Sequence, residues 1–177
     1  MKSTSAKYGT VAITIHWLSA LLILAQLGSG FWAASIIDGA AKEEILKFHA
    51  ALGIVILVLT IARLLWWKFA DRKPDPVAGG PAWQMLAAKA VHVLFYIVIL
   101  GMVASGIGLM VVSGAGAILS GETDAMLPDF GNYAPRIPHG MGARLMVGLF
   151  VFHAGAAIYH HLVKKDGLLA RMWYGAS

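Results

Sequence analysis

The sequence predicts an all-α transmembrane four-helix bundle, because it is strongly apolar, holds four long apolar runs and distributes its basic residues unevenly. Of its 177 residues, 59% are hydrophobic and 13% are charged, whereas a soluble domain usually carries about a quarter charged residues. Each apolar run has the roughly 20 residues that a helix needs to cross a bilayer. At this length we expect residues 1–177 to form a single domain.

The four spanning helices are predicted in chain order at about 11–33, 45–69, 83–112 and 138–163. The second is expected to begin after the charged stretch at 42–44, and the third after the Pro- and Gly-rich linker at 71–81. Pro138 suits the first turn of the fourth helix. The first run is too long for the apolar part of a signal peptide and contains His16, so we expect it to be retained as a spanning helix.

The basic residues predict the orientation. Most of them flank one set of helix ends: Lys2, Lys7, Lys68, Arg72, Lys73, Lys89, Lys164, Lys165 and Arg171. The other ends carry three bases against six acids: Lys42, Lys47 and Arg136, with Asp38, Glu43, Glu44, Glu122, Asp124 and Asp129. The positive-inside rule therefore predicts that both termini are cytoplasmic, and that the long loop at about 113–137 faces the periplasm if the host is Gram-negative. The net charge of +5 is explained by topology, so we expect lipid and not nucleic acid as a partner.

The candidate metal ligands are histidines, since the sequence has no cysteine. That excludes iron–sulfur clusters, thiolate zinc sites and covalently attached c-type haem. His139 and His153 lie fourteen residues apart in the fourth predicted helix. At about 100° and 1.5 Å per residue they return to within roughly 40° of one face, about 21 Å apart. One helix thus offers two imidazoles at two depths of a membrane about 30 Å thick.

Two other histidines match these depths. His49, near the start of the second helix, shares the depth of His139, and His16 in the first helix lies within roughly 7 Å of the nominal depth of His153. The pairs His49–His139 and His16–His153 predict two bis-imidazole sites, an arrangement typical of b-type haem in electron transfer. We therefore predict two non-covalent haem b groups, with outer-sphere electron transfer and no catalytic side chain.

Three further histidines have open roles. His92, in the third helix, lies at a depth comparable to that of His16, which makes it an alternative ligand at the cytoplasmic level or another cofactor contact. His160 and His161 lie at the cytoplasmic boundary, where they are expected to be interfacial or hydrogen-bonding residues, or proton acceptors for a quinone site.

Arg63 and Trp17 are the other candidate cofactor contacts. Arg63 follows His49 by fourteen residues, so it lies on the same face about 21 Å deeper, where it would bind a haem propionate or else extend to the lipid headgroups. Trp17 belongs to an aromatic belt near the helix ends and, next to His16, is a candidate to pack on haem or quinone.

Arg144 lies about 140° away from His139 on the helix and receives no role. Glycines of the third and fourth helices permit close helix approach or room for a flat macrocycle: Gly101, Gly106, Gly108, Gly142, Gly148 and Gly155.

Four stretches carry a resemblance to a known family: AITIHWLSALLIL, FHAALGIVILVLTIARLL, VHVLFYIVILGMVASGIGLM and HGMGARLMVGLFVFHAGAAIYHHLVKKDGLLARM. In this order, and over essentially the whole chain, they resemble the bacterial cytochrome b561 family, which includes stand-alone proteins and the cytochrome b subunits of hydrogenases and formate dehydrogenases. The resemblance implies haem ligation by His16, His49, His139 and His153, and it extends to Arg63, His92 and the segment 160–166. The best-understood stand-alone members are superoxide oxidases, which pass electrons from periplasmic superoxide through two b haems to ubiquinone.

Three functions follow as expectations. The first is a superoxide:ubiquinone oxidoreductase. The second is a quinol-linked electron-transfer cytochrome that serves a periplasmic or membrane redox protein, and the third is a His-lined proton or metal transporter. The acidic excess on the outer loops disfavours an anionic donor and suits a basic protein partner, whereas a local basic funnel would favour superoxide: Lys42, Lys47, Arg136 and Arg144.

Overall fold

A computed structural model describes residues 1–36, 39–76 and 81–175. Five α-helices follow in order: α1 (Thr10–Ser35), α2 (Gly39–Leu65), α3 (Ala82–Ser113), α4 (Ala115–Ser120) and α5 (Arg136–Tyr159). Helices α2 and α5 each continue into a π-helical turn, Trp66–Ala70 and His160–Lys164, and two 3-10 turns complete the fold, Phe130–Asn132 and Leu169–Met172. The described ranges contain no strand, so the predicted all-α class is confirmed. Asp38, one of the predicted outer acids, and part of the predicted linker, 77–80, lie outside the described residues.

The four predicted spanning helices are present. Within the described ranges, four segments are long and apolar enough to cross a membrane: Thr10–Ser35, Gly39–Ala70, Ala82–Ser113 and Arg136–Lys164. The first and third predicted helices agree with α1 and α3 to within one or two residues at each end. The fourth begins two residues before Pro138, which therefore lies in the first turn of α5, where its missing N–H leaves no bond unmade.

The predicted start of the second helix is wrong, because α2 begins at Gly39 and includes the charged stretch. Lys47 Nζ lies 2.9 Å from Glu43 Oε1 and 3.0 Å from Glu44 Oε1. Residues three and four positions apart are neighbours on a helix, and acids near a helix N-terminus are favoured by its dipole. The charges therefore extend the helix beyond its apolar run, and hydropathy alone places the boundary too late.

The predicted 113–137 loop also contains local structure. Gly114, with φ 73°, ends α3 in the left-handed region and precedes the short helix α4, which Gly121 ends in the same way with φ 78°. Glycine adopts this conformation without steric cost. Further along, Asp129 accepts a hydrogen bond from the Gly131 backbone N–H at 2.9 Å and so caps the 3-10 turn.

The helices pack most extensively as two pairs, α1 with α2 and α3 with α5, and α2 joins the pairs by contacting α3. Buried apolar residues of α2, α3 and α5 form the core: Leu52, Ile56, Val98, Ile99, Met146 and Leu149. On α5 the core residues Met146 and Leu149 lie between His139 and His153. An apolar layer thus separates the two histidine levels.

The N-terminal segment and the C-terminal segment, described as far as residue 175, lie at one end of the bundle, which we call the terminal end; the opposite end is the loop end. The Tyr8 backbone N–H donates to the Arg171 carbonyl oxygen at 3.3 Å. The Arg171 guanidinium donates to the carbonyls of Ala6 and Asp75, both at 2.7 Å. The N-terminal segment, the connection after α2 and the C-terminal segment are therefore tied together at the terminal end.

Candidate functional site

At the loop end, His49 of α2 faces His139 of α5. Their ring centroids are 6.1 Å apart, with ring planes inclined at 72°. A metal–imidazole bond is about 2.0–2.1 Å long, and the ring centroid lies about 1.1 Å beyond the bonded nitrogen. Two imidazoles on opposite sides of one metal ion therefore have ring centroids about 6 Å apart. The observed spacing therefore suits one metal ion between the two rings.

Hydrogen bonds fix the tautomer of His139. The Ser105 hydroxyl donates to the Met102 carbonyl at 3.0 Å, so its oxygen accepts from His139 Nδ1 at 3.1 Å. Nδ1 also lies 3.1 Å from the Met102 carbonyl oxygen, which can only accept. The proton is therefore on Nδ1, and Nε2 keeps the lone pair that a metal would bind.

His49 is held in the same way. The Ser29 hydroxyl donates to the Gln26 carbonyl at 3.0 Å and accepts from His49 Nδ1 at 2.9 Å. The lone pair of His49 Nε2 accepts from the Gln26 amide nitrogen at 3.0 Å. Gln26 Oε1 is buried and has no partner among the described residues. A metal on His49 would take the lone pair that the Gln26 amide now occupies.

Both loop-end imidazoles rest against a glycine. A Cβ atom added at Gly30 of α1 would lie 2.9 Å from Cε1 of His49, and one at Gly106 of α3 would lie 3.2 Å from Cε1 of His139. Both distances are shorter than ordinary van der Waals contact. Any larger residue at these positions would push the ring out of its present place.

At the terminal end, His153 of α5 has two histidine neighbours. The His16 ring of α1 has its centroid 6.2 Å from that of His153, and the planes are inclined at 64°. The His92 ring of α3 is closer, at 5.4 Å. The His16 spacing is nearer to the about 6 Å that a bridging metal requires.

Arg63 lies beside the terminal-end histidines. Its Nη2 donates to His16 Nδ1 over a long 3.4 Å, and its Nε is buried without a partner among the described residues. The guanidinium therefore points into the bundle and not toward the lipid headgroups. A buried N–H without an acceptor is costly, and a carboxylate is the strongest acceptor it could meet. The predicted contact with a haem propionate fits this unused donor.

Trp17 fixes the C-terminal segment beside His16. Its indole Nε1 donates to the Met172 carbonyl at 2.8 Å, and its ring centroid lies 5.4 Å from that of Trp173. The same ring lies 5.5 Å from the His16 ring. The indole thus has a structural role, and its predicted contact with a cofactor stays a prediction.

His160 and His161 follow at the end of α5. His160 Nδ1 lies 2.5 Å from Asp166 Oδ2. Burial raises the pKa of Asp166, but the hydrogen bonds from His160 and from the Leu168 backbone outweigh it, so that this pKa is lowered and the carboxylate stays ionised. His161 lines a cavity of about 330 Å³ together with Leu169, Ala170 and Trp173.

Of the predicted basic funnel at the loop end, two arginines converge. Arg144 Nη1 donates to the Gly140 carbonyl at 3.1 Å. A Cβ atom at Gly140 would lie 2.9 Å from Arg136 Nη1 and 3.6 Å from Arg144 Nη1. The two guanidiniums therefore meet over the residue next to His139, whereas Lys47 is neutralised by Glu43 and Glu44.

These features fit haem. Each imidazole pair joins α5 to the α1–α2 pair, so His49 with His139, and His16 with His153, would be the residues that hold haem. The Nε2 lone pair of His139, the glycines beside both loop-end imidazoles and the buried Arg63 Nε without a described partner suit a bis-histidine haem with propionates.

Comparison with known families agrees with this chemistry. The sequence profile described as prokaryotic cytochrome b561 matches residues 7–175. The chain belongs to the prokaryotic cytochrome b561 family. This cytochrome b561 is therefore a multi-pass bacterial membrane protein, and its family transfers electrons in the membrane by means of b-type haem.

Several relatives align with this cytochrome b561 over most of its length. Cytochrome b561 homolog 2 of Escherichia coli K12 is 28% identical, covering 96% of this chain and 93% of its own. Cytochrome b561 homolog 1 of the same organism is 29% identical, covering 94% and 96%. The protein described as probable superoxide oxidase CybB of Yersinia pestis is 28% identical, covering 94% and 95%.

Sequence reasoning missed the residues that hold the loop-end histidines of this cytochrome b561: Gln26, Ser29, Gly30 and Ser105. A signal was present, since Gln26 and Ser29 are polar residues inside the first apolar run. Polar side chains at membrane depth need partners. Their partner could not be named, because His49 is on another helix.

Proposed function

We propose that this cytochrome b561 binds two haem b groups, one at each imidazole pair, and carries electrons between its two ends. The observation that supports this most directly is the pair of ring spacings, 6.1 Å for His49–His139 and 6.2 Å for His16–His153. Held by two imidazoles at each level, haem would supply reversible one-electron iron chemistry. His92 is the alternative ligand at the terminal end.

We place the terminal end in the cytoplasm and the loop end in the periplasm of a bacterial inner membrane. The support is the concentration of Lys and Arg at the terminal end, where nine basic residues flank the helices: Lys2, Lys7, Lys68, Arg72, Lys73, Lys89, Lys164, Lys165 and Arg171. Electrons entering at the loop end would then cross the membrane toward the cytoplasmic side.

The donor that we favour is superoxide. Two superoxide anions each give up one electron and leave as dioxygen, and one ubiquinone takes the two electrons and two protons to become ubiquinol. Arg136 and Arg144, which meet over Gly140 beside His139, would draw the anion to the loop end by charge. The similarity to the Yersinia pestis protein described as a probable superoxide oxidase supports the same donor.

The acceptor that we favour is ubiquinone at the terminal end. The largely apolar cavity of about 330 Å³ beside His161 suits a quinone ring. Quinone reduction consumes protons, and His160 is positioned to pass one, since the ionised Asp166 carboxylate holds its Nδ1. Each side chain here has a binding or proton-transfer role and none forms a covalent bond with substrate.

The test is rapid mixing of superoxide with the purified, oxidised, haem-loaded protein. We expect the haem absorption to show reduction within the mixing experiment and, once ubiquinone is added, continuous turnover. A His139→Ala protein is the matched control, because it should lose the haem nearest the loop end. Absence of both reduction and turnover would rule out superoxide as donor, and absence of bound haem would rule out electron transfer altogether.

A second candidate is a quinol-linked cytochrome that passes electrons to a basic redox protein. It is favoured by the acids at the loop end, where Glu44 keeps 74% of its side chain exposed despite its contact with Lys47. A basic protein partner would bind such a surface and be weakened by salt. Reduction of the haems by ubiquinol alone, together with stable co-purification of a basic partner, would favour this function over superoxide oxidation.

A further inference from the structure

A second cavity lies at the terminal end, apart from the histidines. It is an open cavity of about 500 Å³ between the N-terminal segment and the end of the second spanning helix, with Lys2 and Ser3 on one side and Trp67, Lys68, Phe69 and Arg72 on the other. Asp71 holds the two sides together, since its oxygens accept from the Ser3 backbone N–H at 3.0 Å and from the Ser3 hydroxyl at 2.8 Å. The cavity is therefore built by long-range contacts.

The lining of this cavity carries more positive than negative charge. Three cations, Lys2, Lys68 and Arg72, face one carboxylate, Asp71. The Asp71 oxygens already accept from Ser3, from the Trp66 indole at 3.2 Å and from the Arg72 backbone at 2.9 Å. Among the described residues none of the three cations forms an ion pair. The cavity thus presents three cations outside any described ion pair, one of which, Lys68, has its Nζ 5.1 Å from the centroid of the Phe69 ring.

The neighbouring surface adds to the positive potential. Lys73 Nζ lies 5.9 Å from the centroid of the Trp67 ring, beyond the cavity wall. Burial lowers the pKa of Lys73, and repulsion from Arg63 and Lys89 lowers it further. An anion held near these side chains would relieve that repulsion.

The position of the cavity selects a membrane lipid over a soluble anion. It lies where the spanning segment Gly39–Ala70 ends, beside the two tryptophans Trp66 and Trp67, residues that typically mark the headgroup level. From the cavity toward the middle of the spanning segment, exposed apolar side chains follow one another at four-residue intervals on one face of the helix. Phe69 is 73%, Leu65 49% and Ile61 45% exposed. A headgroup phosphate in the cavity would place its acyl chains along this line.

We propose that this cavity binds the headgroup of an anionic phospholipid of the phosphatidylglycerol or cardiolipin class. Lys68 and Arg72 bind the phosphate, Lys2 closes the site from the N-terminal segment, and the acyl chains pack on Phe69, Leu65 and Ile61. Basic pockets at the membrane surface recognise such headgroups. The proposal is independent of electron transfer and of the side of the membrane on which the terminal end lies.

Native mass spectrometry of the full-length, haem-loaded protein tests the proposal, with dioleoylphosphatidylglycerol as the probe and dioleoylphosphatidylcholine for comparison. The Lys68→Gln/Arg72→Gln protein is expected to bind the first phosphatidylglycerol roughly thirtyfold more weakly, because each cation near a membrane contributes about 1 kcal/mol. Lys2→Gln, a milder change, should weaken it about fivefold for the same reason. The matched control, Lys164→Gln/Lys165→Gln, removes two charges at the same end outside the cavity and should leave binding close to wild type.

Three results would overturn the proposal. Equal weakening in the two double variants would show general attraction to a positive surface. Equally strong binding of phosphatidylcholine and phosphatidylglycerol would show that the site does not distinguish the charge of the headgroup. Displacement of the lipid by excess inorganic phosphate would show a site for a free anion and not for a lipid.

Discussion

His49 and His139, on different helices, are held by matching contacts. Each Nδ1 donates to a serine hydroxyl, Ser29 or Ser105, and each hydroxyl in turn donates to the carbonyl three residues before it on its own helix. In both imidazoles Nδ1 carries the proton, so the lone pair is on Nε2, the atom through which an imidazole would bind iron. The two supporting helices are α1 and α3, so all four spanning helices contribute to the loop-end site.

Replacing His139 by Ala is expected to remove one of two haems. His139 supplies one face of the loop-end pair only, while His16 and His153 remain in place at the other level. The haem-to-protein ratio from a pyridine haemochrome assay should fall from two to one. His161→Ala, as the control, should keep both haems, because His161 belongs to neither imidazole pair. Two haems with unchanged spectra in His139→Ala would show that the pairing is wrong.

Removing the serine hydroxyls should affect the loop-end haem unequally. When Ser105 is removed, His139 Nδ1 keeps the Met102 carbonyl oxygen at 3.1 Å, whereas His49 keeps only a weaker interaction with the Gln26 backbone carbonyl when Ser29 is removed. Loss of such a partner typically costs 10- to 100-fold in metal affinity. We expect Ser29→Ala to lower occupancy and raise the midpoint potential of one haem in a redox titration, with a smaller change in Ser105→Ala. Equal shifts in both variants would contradict this ordering.

Gly30→Ala should also disturb the loop-end site. The added Cβ would lie 2.9 Å from Cε1 of His49, so the ring must move away from its partner. Gly28→Ala, two residues earlier on the same helix, is the matched control, since its Cβ meets nothing within 4 Å. Haem content and the spectrum of the loop-end haem should change in Gly30→Ala alone. If the two proteins are indistinguishable, His49 does not need its present position.

Arg144→Gln is expected to slow reduction by superoxide about three- to tenfold at low ionic strength, because charge steering of an anion is lost. Lys47→Gln removes the same charge, but Lys47 is already paired with Glu43 and Glu44, so its effect should be smaller. Stopped-flow rates at increasing salt measure both variants. A rate in Arg144→Gln that equals that of wild type at every salt concentration would show that this arginine does not guide the donor.

Asp71→Asn should lower stability in a pH-dependent manner. Burial raises the pKa of Asp71, but the hydrogen bonds from Ser3, Arg72 and Trp66 outweigh it and lower this pKa in the folded protein. A lowered pKa contributes stability above the unfolded value of about 3.9, and this is lost as pH falls through the folded value. The variant should therefore melt a few degrees lower near pH 7, for a loss of about 0.5–1.5 kcal/mol, because solvent screens the contacts of this carboxylate.

The control for this prediction is Asp75→Asn, since Asp75 contacts Ser5 and Arg171 only through its backbone. Thermal melts of both variants and wild type at pH 8, 7, 5 and about 3 make the comparison. The difference between Asp71→Asn and wild type should shrink below about pH 4. A difference that stays constant to the lowest pH would mean that the carboxylate charge is not what stabilises the terminal end.

Much of the architecture can be predicted from the chain alone. Backbone groups in lipid have no partner outside the helix, so four long apolar runs must form four helices. Helical geometry likewise fixes the fourteen-residue step from His139 to His153 on α5. The ends of the helices are harder to predict. Helix α2 begins before its apolar run, because the ion pairs of Lys47 with Glu43 and Glu44 extend the helix into water.

The tertiary structure decides which side chains meet across helices. Periodicity gives each residue a face and a depth but not its partner on another helix. Only the packed bundle brings Ser29 to His49, Ser105 to His139, and His92 as well as His16 to His153. The Ser3–Asp71 bond, which holds the two sides of the terminal-end cavity together, joins residues far apart in the chain. Such contacts require side chains to be positioned to within a few tenths of an ångström. Close packing of the buried residues sets these positions, and sequence spacing does not.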